Sequence, residues 1–206
     1  MDNELFENAN WLIGAATRGL AARGGAGVYD VIARLGAQDV SATAFRVPEP
    51  ARLPVLDYLP QCLGEAMLLD ADLAAAIAAV EEGLQWRQSA AYSDSLLGEG
   101  FTANYGWAEI VGPHGFFPGG DFLLGLLMLG PGRHYRDHYH PAPELYWPLT
   151  SASLWSRDSG PFVEWPQGGT IWHPPMTVHA TRTGEMPLLA LWSWTRDTAT
   201  PAKLLA

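Results

Sequence analysis

The stretch Gly132–Tyr146, GRHYRDHYHPAPELY, places His138, His140, Glu144 and Tyr146 at even spacings. Successive side chains of a strand point to opposite faces, so we expect these four to share one face of a strand. Two imidazoles and a carboxylate at close range form part of the ligand set that divalent transition metals prefer. His179, in the later segment WHPPMTVH, supplies a further imidazole. The pattern predicts a metal site inside a β-barrel, with Tyr146 beside the metal.

The composition limits the class of protein. At 206 residues the chain suits one domain, with 48% hydrophobic and 17% charged residues, as expected for a folded core. A net charge of −10 argues against nucleic acid or an anionic membrane surface as a partner. Cys62 is the single cysteine of the sequence, which excludes an internal disulfide and a cysteine-based metal cluster.

The segment MDNELFENANW lacks the basic and apolar regions of a signal peptide. The sequence has no run of 18 apolar residues, so it predicts no transmembrane helix. We therefore expect a cytoplasmic protein without a membrane partner.

The first half of the chain has helical patterns. Apolar residues recur at helical period over 2–24, and VYDVIARLGA predicts a short second helix that ends at Gly36. Four prolines in 37–60 predict an irregular connector, and the Ala- and Leu-rich segment 71–86 predicts a third helix. Residues 1–99 are thus predicted to form a helical section packed on the rest of the protein.

From residue 100 onward, Gly and Pro separate short runs rich in aromatic and β-branched residues. Turn signals at about ten-residue spacing are typical of an antiparallel sandwich or small barrel. We therefore expect a β-barrel over 100–206. On composition alone, Gly115–Gly120 (GFFPGG) and the connector 37–60 are candidates for mobile covers of a pocket.

Two segments resemble the motifs of the cupin superfamily. Gly132, His138, His140 and Glu144 have the spacing of its first motif, and Gly168, Pro174 and His179 that of its second. The resemblance covers 132–183 and implies a mainly β fold, the double-stranded β-helix, with an N-terminal α-helical section. It also implies one metal ion held by His138, His140, Glu144 and His179.

The chain departs from the cupin pattern at turn positions. Met176 and Ser151 stand where glycines are usual, and Thr183 replaces the usual Asn. Of the other histidines, His173 has a parity that would also face inward, although the proline pair after it makes that parity unreliable. His134 and His114 lie in apparent loops and are predicted to face solvent.

Tyr146 indicates which type of reaction to expect at this metal site. A phenol near a divalent cation loses its proton more easily than its unperturbed pKa of ~10 would allow, and the phenolate can act as a general base. The combination HxHxxxExY in a cupin resembles the bacterial dimethylsulfoniopropionate (DMSP) lyases, which form dimethyl sulfide and acrylate. By that resemblance Tyr146 removes the α-proton, and Tyr135 matches a second catalytic tyrosine of the family. A pocket tryptophan corresponds to Trp194 or Trp192.

The substrate implied by the resemblance is a zwitterionic sulfonium carboxylate. Aromatic faces attract a sulfonium with about 0.5–2 kcal/mol per good contact. The sequence has nine Trp and seven Tyr, and we expect several of them near the site. They are Tyr135, Tyr139, Trp147, Trp172, Trp192 and Trp194. Of these, Tyr139, Trp192 and Trp194 are the predicted substrate-binding residues, although aromatic residues also fill the core of any barrel.

Three alternatives to the lyase interpretation stay open. Another metal-dependent cupin enzyme, a dioxygenase or small-acid isomerase, would use the same ligands. A lyase-like paralogue would keep the metal shell but act on another substrate, and a non-catalytic cupin would only bind a ligand. The nitrogen and oxygen ligand set suits Fe, Zn, Mn, Co or Ni. A homodimer is possible by the resemblance, as is a monomer capped by the N-terminal helices.

Overall fold

The computed structural model describes residues 3–205, with helices first and strands after them. The α-helices are α1 (Asn3–Arg23), α2 (Val28–Gly36), α3 (Leu59–Leu69), α4 (Ala71–Val80) and α5 (Asp94–Leu97). Short 3-10 helices cover Pro54–Tyr58, Glu81–Gly83 and Thr102–Asn104. The strands are β1 (Tyr105–Val111), β2 (Leu123–Leu129), β3 (His134–Tyr139), β4 (Glu144–Pro148), β5 (Ser153–Arg157), β6 (Val163–Trp165), β7 (Ile171–His173), β8 (His179–Thr183), β9 (Leu188–Trp194) and β10 (Lys203–Leu204).

The strands form two antiparallel sheets of five. One sheet has the order β1-β2-β9-β4-β7 and the other has the order β10-β3-β8-β5-β6. The chain alternates between the sheets, so that β3 and β4, or β8 and β9, lie in different sheets although they are consecutive. This arrangement is the double-stranded β-helix of the cupins, and the predicted fold class is confirmed.

The first sheet is buried on both faces. Its outer face packs on the helices in one apolar cluster, which joins Leu12 and Leu20 of α1 to Leu126, Trp147 and Leu191 of the sheet. Its inner face lies in a second cluster between the sheets, with many aromatic members. Residues buried on both faces explain why β2 reads LLGLLML, an apolar run without alternation. The inner cluster surrounds the candidate site.

The N-terminal helices agree in part with those predicted from the sequence. Helices α1 and α2 correspond to the first two predictions, with Asp2 outside the described residues. The helix α3 was missed because Pro60 was read as part of an irregular connector. Proline in the first turn of a helix removes no needed N–H, and Pro60 occupies that position.

The prediction of a helix over 71–86 is wrong for the last third of that segment. Helix α4 ends at Val80, a 3-10 turn follows, and 84–87 runs extended. The Trp86 N–H donates to the Ala51 carbonyl, and Arg87 pairs with Trp107 of β1 through two backbone hydrogen bonds. Hydrogen bonds to distant segments thus override the helical propensity of this stretch, and they bring Arg87 beside the barrel.

The segment GFFPGG is held in place on the barrel. Phe116 and Phe117 are fully buried, and the Arg46 guanidinium donates to the carbonyls of Gly112 and Gly115 at 2.6 and 3.1 Å. A cover that opens needs few buried contacts. These contacts argue against the expectation that this segment is mobile.

Two departures from the cupin motifs have a visible structural basis. Met176 has a φ of 63°, in the left-handed region that glycine adopts without strain, so the turn keeps its shape with a methionine. The Thr183 hydroxyl accepts from the Arg133 N–H and donates to the Gly130 carbonyl, at 2.9 and 2.6 Å. Both turns therefore form with the residues present.

Among residues 3–205, no helix is both long and apolar enough to cross a membrane.

Candidate active site

The four residues of the HxHxxxExY pattern lie on two strands. His138 is on β3, His140 lies in the turn that contains Pro141, and Glu144 and Tyr146 are on β4. The expectation of one strand face is wrong, because the chain passes from one sheet to the other between Tyr139 and Glu144. All four side chains still reach the same interior, since the two strands line it from opposite sides.

Three histidines are oriented in the same way. The Nδ1 atoms of His138, His140 and His179 lie 2.9, 2.8 and 2.9 Å from the carbonyl oxygens of Arg136, Ala142 and Thr177, respectively. A carbonyl only accepts, so each Nδ1 carries the proton and each Nε2 is left with a lone pair. Metal-binding histidines in proteins are typically fixed by this kind of contact.

The lone pairs converge on Glu144. Its Oε2 lies 3.0 Å from His140 Nε2 and 3.1 Å from His179 Nε2, and the second pair is not aligned for a hydrogen bond. Its other oxygen, Oε1, accepts from Trp194 Nε1 at 2.7 Å. Acceptors that face one another in a buried site require a shared cation or proton. The donor set therefore fits a metal ion.

The ligand atoms of His140, Glu144 and His179 lie within 4.8 Å of one another, close enough to hold one metal ion. His138 is buried beside them, with its ring centroid 4.1 Å from that of His179, but its ligand atom lies outside this closest group. Burial and His179 lower the pKa of His138 well below its usual value, so the ring is neutral.

His173 lies next to this group without joining it. Its ring stacks on that of His179 with a centroid distance of 4.2 Å and an interplanar angle of 13°. Both of its ring nitrogens are buried without a hydrogen-bond partner among residues 3–205. Burial lowers the pKa of His173 to about 2. The inward parity predicted for His173 is confirmed, and it packs behind a ligand candidate.

A cavity of about 620 Å³ opens on the histidines and Glu144. Tyr146 and Tyr135 both line it. The Tyr146 ring centroid is 6.2 Å from that of His179, and Tyr135 stacks on His138 at 3.9 Å. Burial, followed by the Glu144 charge, raises the pKa of Tyr146 well above its usual value. Both tyrosines therefore face the cavity on which the donor set opens.

The predicted substrate-binding aromatics separate into two groups. Trp192 and Trp194 line the cavity, whereas Tyr139 lines a separate, smaller cavity with Met176 and Lys203. Tyr139 follows the inward His138 on β3, so alternation turns it away from the site. Trp147 and Trp172 pack against α1 and the turn before α2, on the outer face of their sheet. We find no role for Tyr139, Trp147 or Trp172 at the site.

Several cavity residues were missed from the sequence. Tyr105, Trp107 and Glu109 line the cavity at alternate positions of β1, a signal that ANYGWAEIVG did carry. Tyr92, whose hydroxyl is 2.7 Å from that of Tyr135, comes from an irregular segment that gives no such signal. His114 also lines the cavity, and half-buried His134 begins β3 and packs on Phe162, so neither is simply solvent-facing.

Comparison with known proteins gives a consistent family. The dimethylsulfoniopropionate lyase family model matches residues 28–190. The dimethylsulfoniopropionate lyase DddQ of Ruegeria pomeroyi is 30% identical over 158 residues, which cover 77% of this chain and 75% of that protein. A putative dimethylsulfoniopropionate lyase DddL of Cereibacter sphaeroides is 28% identical over 58% of this chain and 49% of its own length.

Solved structures agree with these sequence matches. The crystal structure of DddQ from Ruegeria pomeroyi DSS-3 superposes with a TM-score of 0.75 at 25% identity and covers 99% of this chain and 97% of that chain. A chain from the crystal structures of the DMSP lyases RdDddP and RnDddQII also gives a TM-score of 0.75, at 26% identity, over 97% of this chain and 98% of its own.

Proposed function

The chain belongs to the dimethylsulfoniopropionate lyase family, and from this premise we propose that it splits DMSP into dimethyl sulfide and acrylate by metal-assisted β-elimination. Membership makes it an enzyme of the carbon–sulfur lyase class. The metal, the ligand set and the general base are the finer parts of this proposal.

The observation that carries the proposal is the common orientation of three histidines around Glu144. With Nδ1 bonded to a backbone carbonyl, each of His138, His140 and His179 offers Nε2 to the same interior. Together with Glu144 they would hold one divalent transition metal ion. When bound, such an ion acts as a Lewis acid that stabilises the negative charge developing on a carboxylate substrate as its α-carbon is deprotonated.

Trp194 supports Glu144 in this role. Its indole N–H donates to Glu144 Oε1 at 2.7 Å, which fixes the carboxylate with Oε2 turned towards the histidines. The Trp194 ring also lies against the His140 ring, with centroids 4.2 Å apart. One aromatic side chain therefore orients two of the proposed ligands, as supporting contacts do in other metal sites.

Tyr146 is the proposed general base. It lies two residues beyond Glu144 on β4, is buried, and lines the cavity at the donor set. A cation held by the donor set would oppose the rise in pKa that burial causes and favour the Tyr146 phenolate. The phenolate oxygen takes the α-proton, the freed electron pair forms the double bond of acrylate, and the Cβ–S bond breaks with its pair on sulfur. The leaving group is neutral dimethyl sulfide, so the reaction needs no oxidant or reductant.

The remaining aromatics suit the cationic end of the substrate. Trp192 lies beside Trp194, with ring centroids 6.0 Å apart, and pairs with Tyr146 across the sheet. We assign these rings to the sulfonium, which aromatic faces attract. Tyr135, stacked on His138 and bonded to Tyr92, is assigned to positioning that ligand and closing the cavity beside it.

The test is product analysis with an oxygen electrode in the same vessel. Metal-loaded protein with DMSP should release dimethyl sulfide into the headspace and leave an equal amount of acrylate in solution, with no oxygen consumed. Metal-stripped protein is the control. Oxygen uptake that parallels substrate loss would instead favour a dioxygenase, and failure to form acrylate would refute the lyase proposal.

A further inference from the structure

The cavity extends well beyond the donor set. It measures about 620 Å³, whereas DMSP has ~8 non-hydrogen atoms and fills at most ~240 Å³ at the volume of about 30 Å³ that a water molecule occupies. Part of the surplus lies towards β1, where charged side chains line the cavity. Arg87, Trp107 and Glu109 line this part of the cavity.

The pairing of the strands sets the distance between the β1 end of the cavity and Tyr146, the proposed general base. Glu109 pairs with Gly125, Gly125 with Trp192, and Trp192 with Tyr146, so all four lie on one rung across the sheet. Three strand spacings separate the backbones of Glu109 and Tyr146 by about 14 Å. A methyl group of DMSP is only three bonds, about 4–5 Å, from the α-carbon that Tyr146 would deprotonate. DMSP therefore leaves the β1 end of the cavity unused.

The β1 end has an acidic and a basic side chain, Glu109 and Arg87, that form no ion pair with each other. Glu109 is buried, and one carboxylate oxygen, Oε2, accepts from the His114 N–H at 2.6 Å. The Arg87 guanidinium donates to Gln85 Oε1 at 3.0 Å and lies 5.8 Å from the Trp107 ring centroid. No ion pair joins Arg87 to Glu109 in the described chain.

Unused donors accompany these charges. The Nε atom of Arg87 and the indole Nε1 atom of Trp192 are buried without a hydrogen-bond partner among residues 3–205. Trp192 Nε1 lies over Gly125, at only 2.8 Å from where a Cβ atom of residue 125 would be. Gly125 is the strand partner of Glu109, so this indole N–H lies beside the position next to Glu109. Buried donors without partners are rare unless a ligand or water completes them.

We infer that the β1 end of the cavity is a subsite for a zwitterionic amino-acid group, and that the enzyme acts on propionates whose β-sulfonium carries such an arm. Glu109 binds the ammonium of the arm and Arg87 binds its carboxylate, while Trp107 and Trp192 line the path between them and the reacting centre. This inference rests on the proposed lyase function and names its substrate class.

The simplest member of the class is methionine alkylated on sulfur by a 2-carboxyethyl group. Its ammonium is six bonds from the reacting α-carbon, twice the reach of DMSP. Tyr146 takes the α-proton, the electron pair forms the carbon–carbon double bond, and the bond between the propionate β-carbon and sulfur breaks with its pair on sulfur. The products are acrylate and methionine, and no co-reactant is required.

The experiment compares three substrates by acrylate release: DMSP, S-(2-carboxyethyl)methionine sulfonium, and a butyl(methyl)(2-carboxyethyl)sulfonium of similar length without the amino-acid charges. We expect kcat/KM for the methionine derivative to exceed that for each of the others by at least about tenfold, the effect of one charge-assisted hydrogen bond. Equal values for the charged and uncharged arms, or a preference for DMSP, would overturn the subsite.

Variants test the two charges separately. Glu109→Gln keeps an oxygen that can accept from His114, and Arg87→Met keeps most of the apolar stem. Each should lower the ratio of kcat/KM for the methionine derivative to that for the butyl derivative by about tenfold, whereas Glu164→Gln on exposed β6 should leave this ratio as in the wild type. An unchanged ratio in both cavity variants contradicts the inference.

The outcomes separate the two proposals. Acrylate from DMSP together with no preference for the methionine derivative removes the subsite and leaves the lyase function standing. Acrylate from none of the three substrates with metal-loaded wild-type protein removes the lyase function, and the subsite falls with it. The wild-type comparison needs no variant to fold.

Discussion

Replacing Tyr146 by Phe should lower the rate of dimethyl sulfide release by about 10²–10⁴-fold, the usual contribution of a general base. The change removes one oxygen and keeps the ring, which packs on Trp155 with a centroid distance of 4.9 Å. The fold and the histidines should therefore be undisturbed. The measurement is headspace gas chromatography at saturating DMSP, with metal content determined on the same sample.

Tyr139→Phe is the matched control. Tyr139 is on the neighbouring strand β3 and lines a separate, smaller cavity, not the one that Tyr146 lines. This variant should keep the wild-type rate. If Tyr146→Phe with full metal content retained that rate as well, Tyr146 would not be the base.

The second large effect concerns the metal. His179→Ala removes one of the three donors that lie within 4.8 Å of one another, and should cost more metal affinity than the ~10–100-fold typical of losing a supporting contact. Dimethyl sulfide release should fall in parallel, because the remaining donors no longer hold the ion. Metal content by elemental analysis after dialysis, alongside activity, tests this.

His134→Ala serves as the control for a lost imidazole. His134 lies on the strand that carries His138, but packs on Phe162 away from the donor set. It should keep wild-type metal content. Full metal occupancy in His179→Ala would show that the ion is bound elsewhere, and restoring metal to stripped wild-type protein should restore its activity.

The candidate donors were predictable from sequence because their spacing is itself a motif. His138, His140, Glu144 and Tyr146 were assigned to one interior from their even spacing, and they do line one cavity. The geometric reason given was wrong, since a turn with two prolines divides them between two sheets. The motif is informative because its spacing includes the turn in which the chain passes from one sheet to the other. Alternation of side chains along a single strand cannot predict the positions of residues on both sides of such a turn.

Long-range pairing explains what sequence reasoning did not find. Tyr139 was placed at the site by proximity in sequence, although alternation after His138 turns it away. Arg87 directly follows the segment 71–86 that was predicted as helical, and it is extended because it pairs with Trp107 of β1. Glu109 reaches the rung of Tyr146 through two intervening strands. Such partners depend on the register of distant segments, which no local pattern encodes.

The most direct test of the central claim, removal of an α-proton followed by loss of the sulfur group, uses DMSP carrying two deuterium atoms on the carbon next to its carboxylate. Mass spectrometry of the product should find acrylate that keeps one of the two deuterium atoms, together with dimethyl sulfide. A three-carbon acid that keeps both deuterium atoms, as direct displacement of dimethyl sulfide by water would give, would contradict the account.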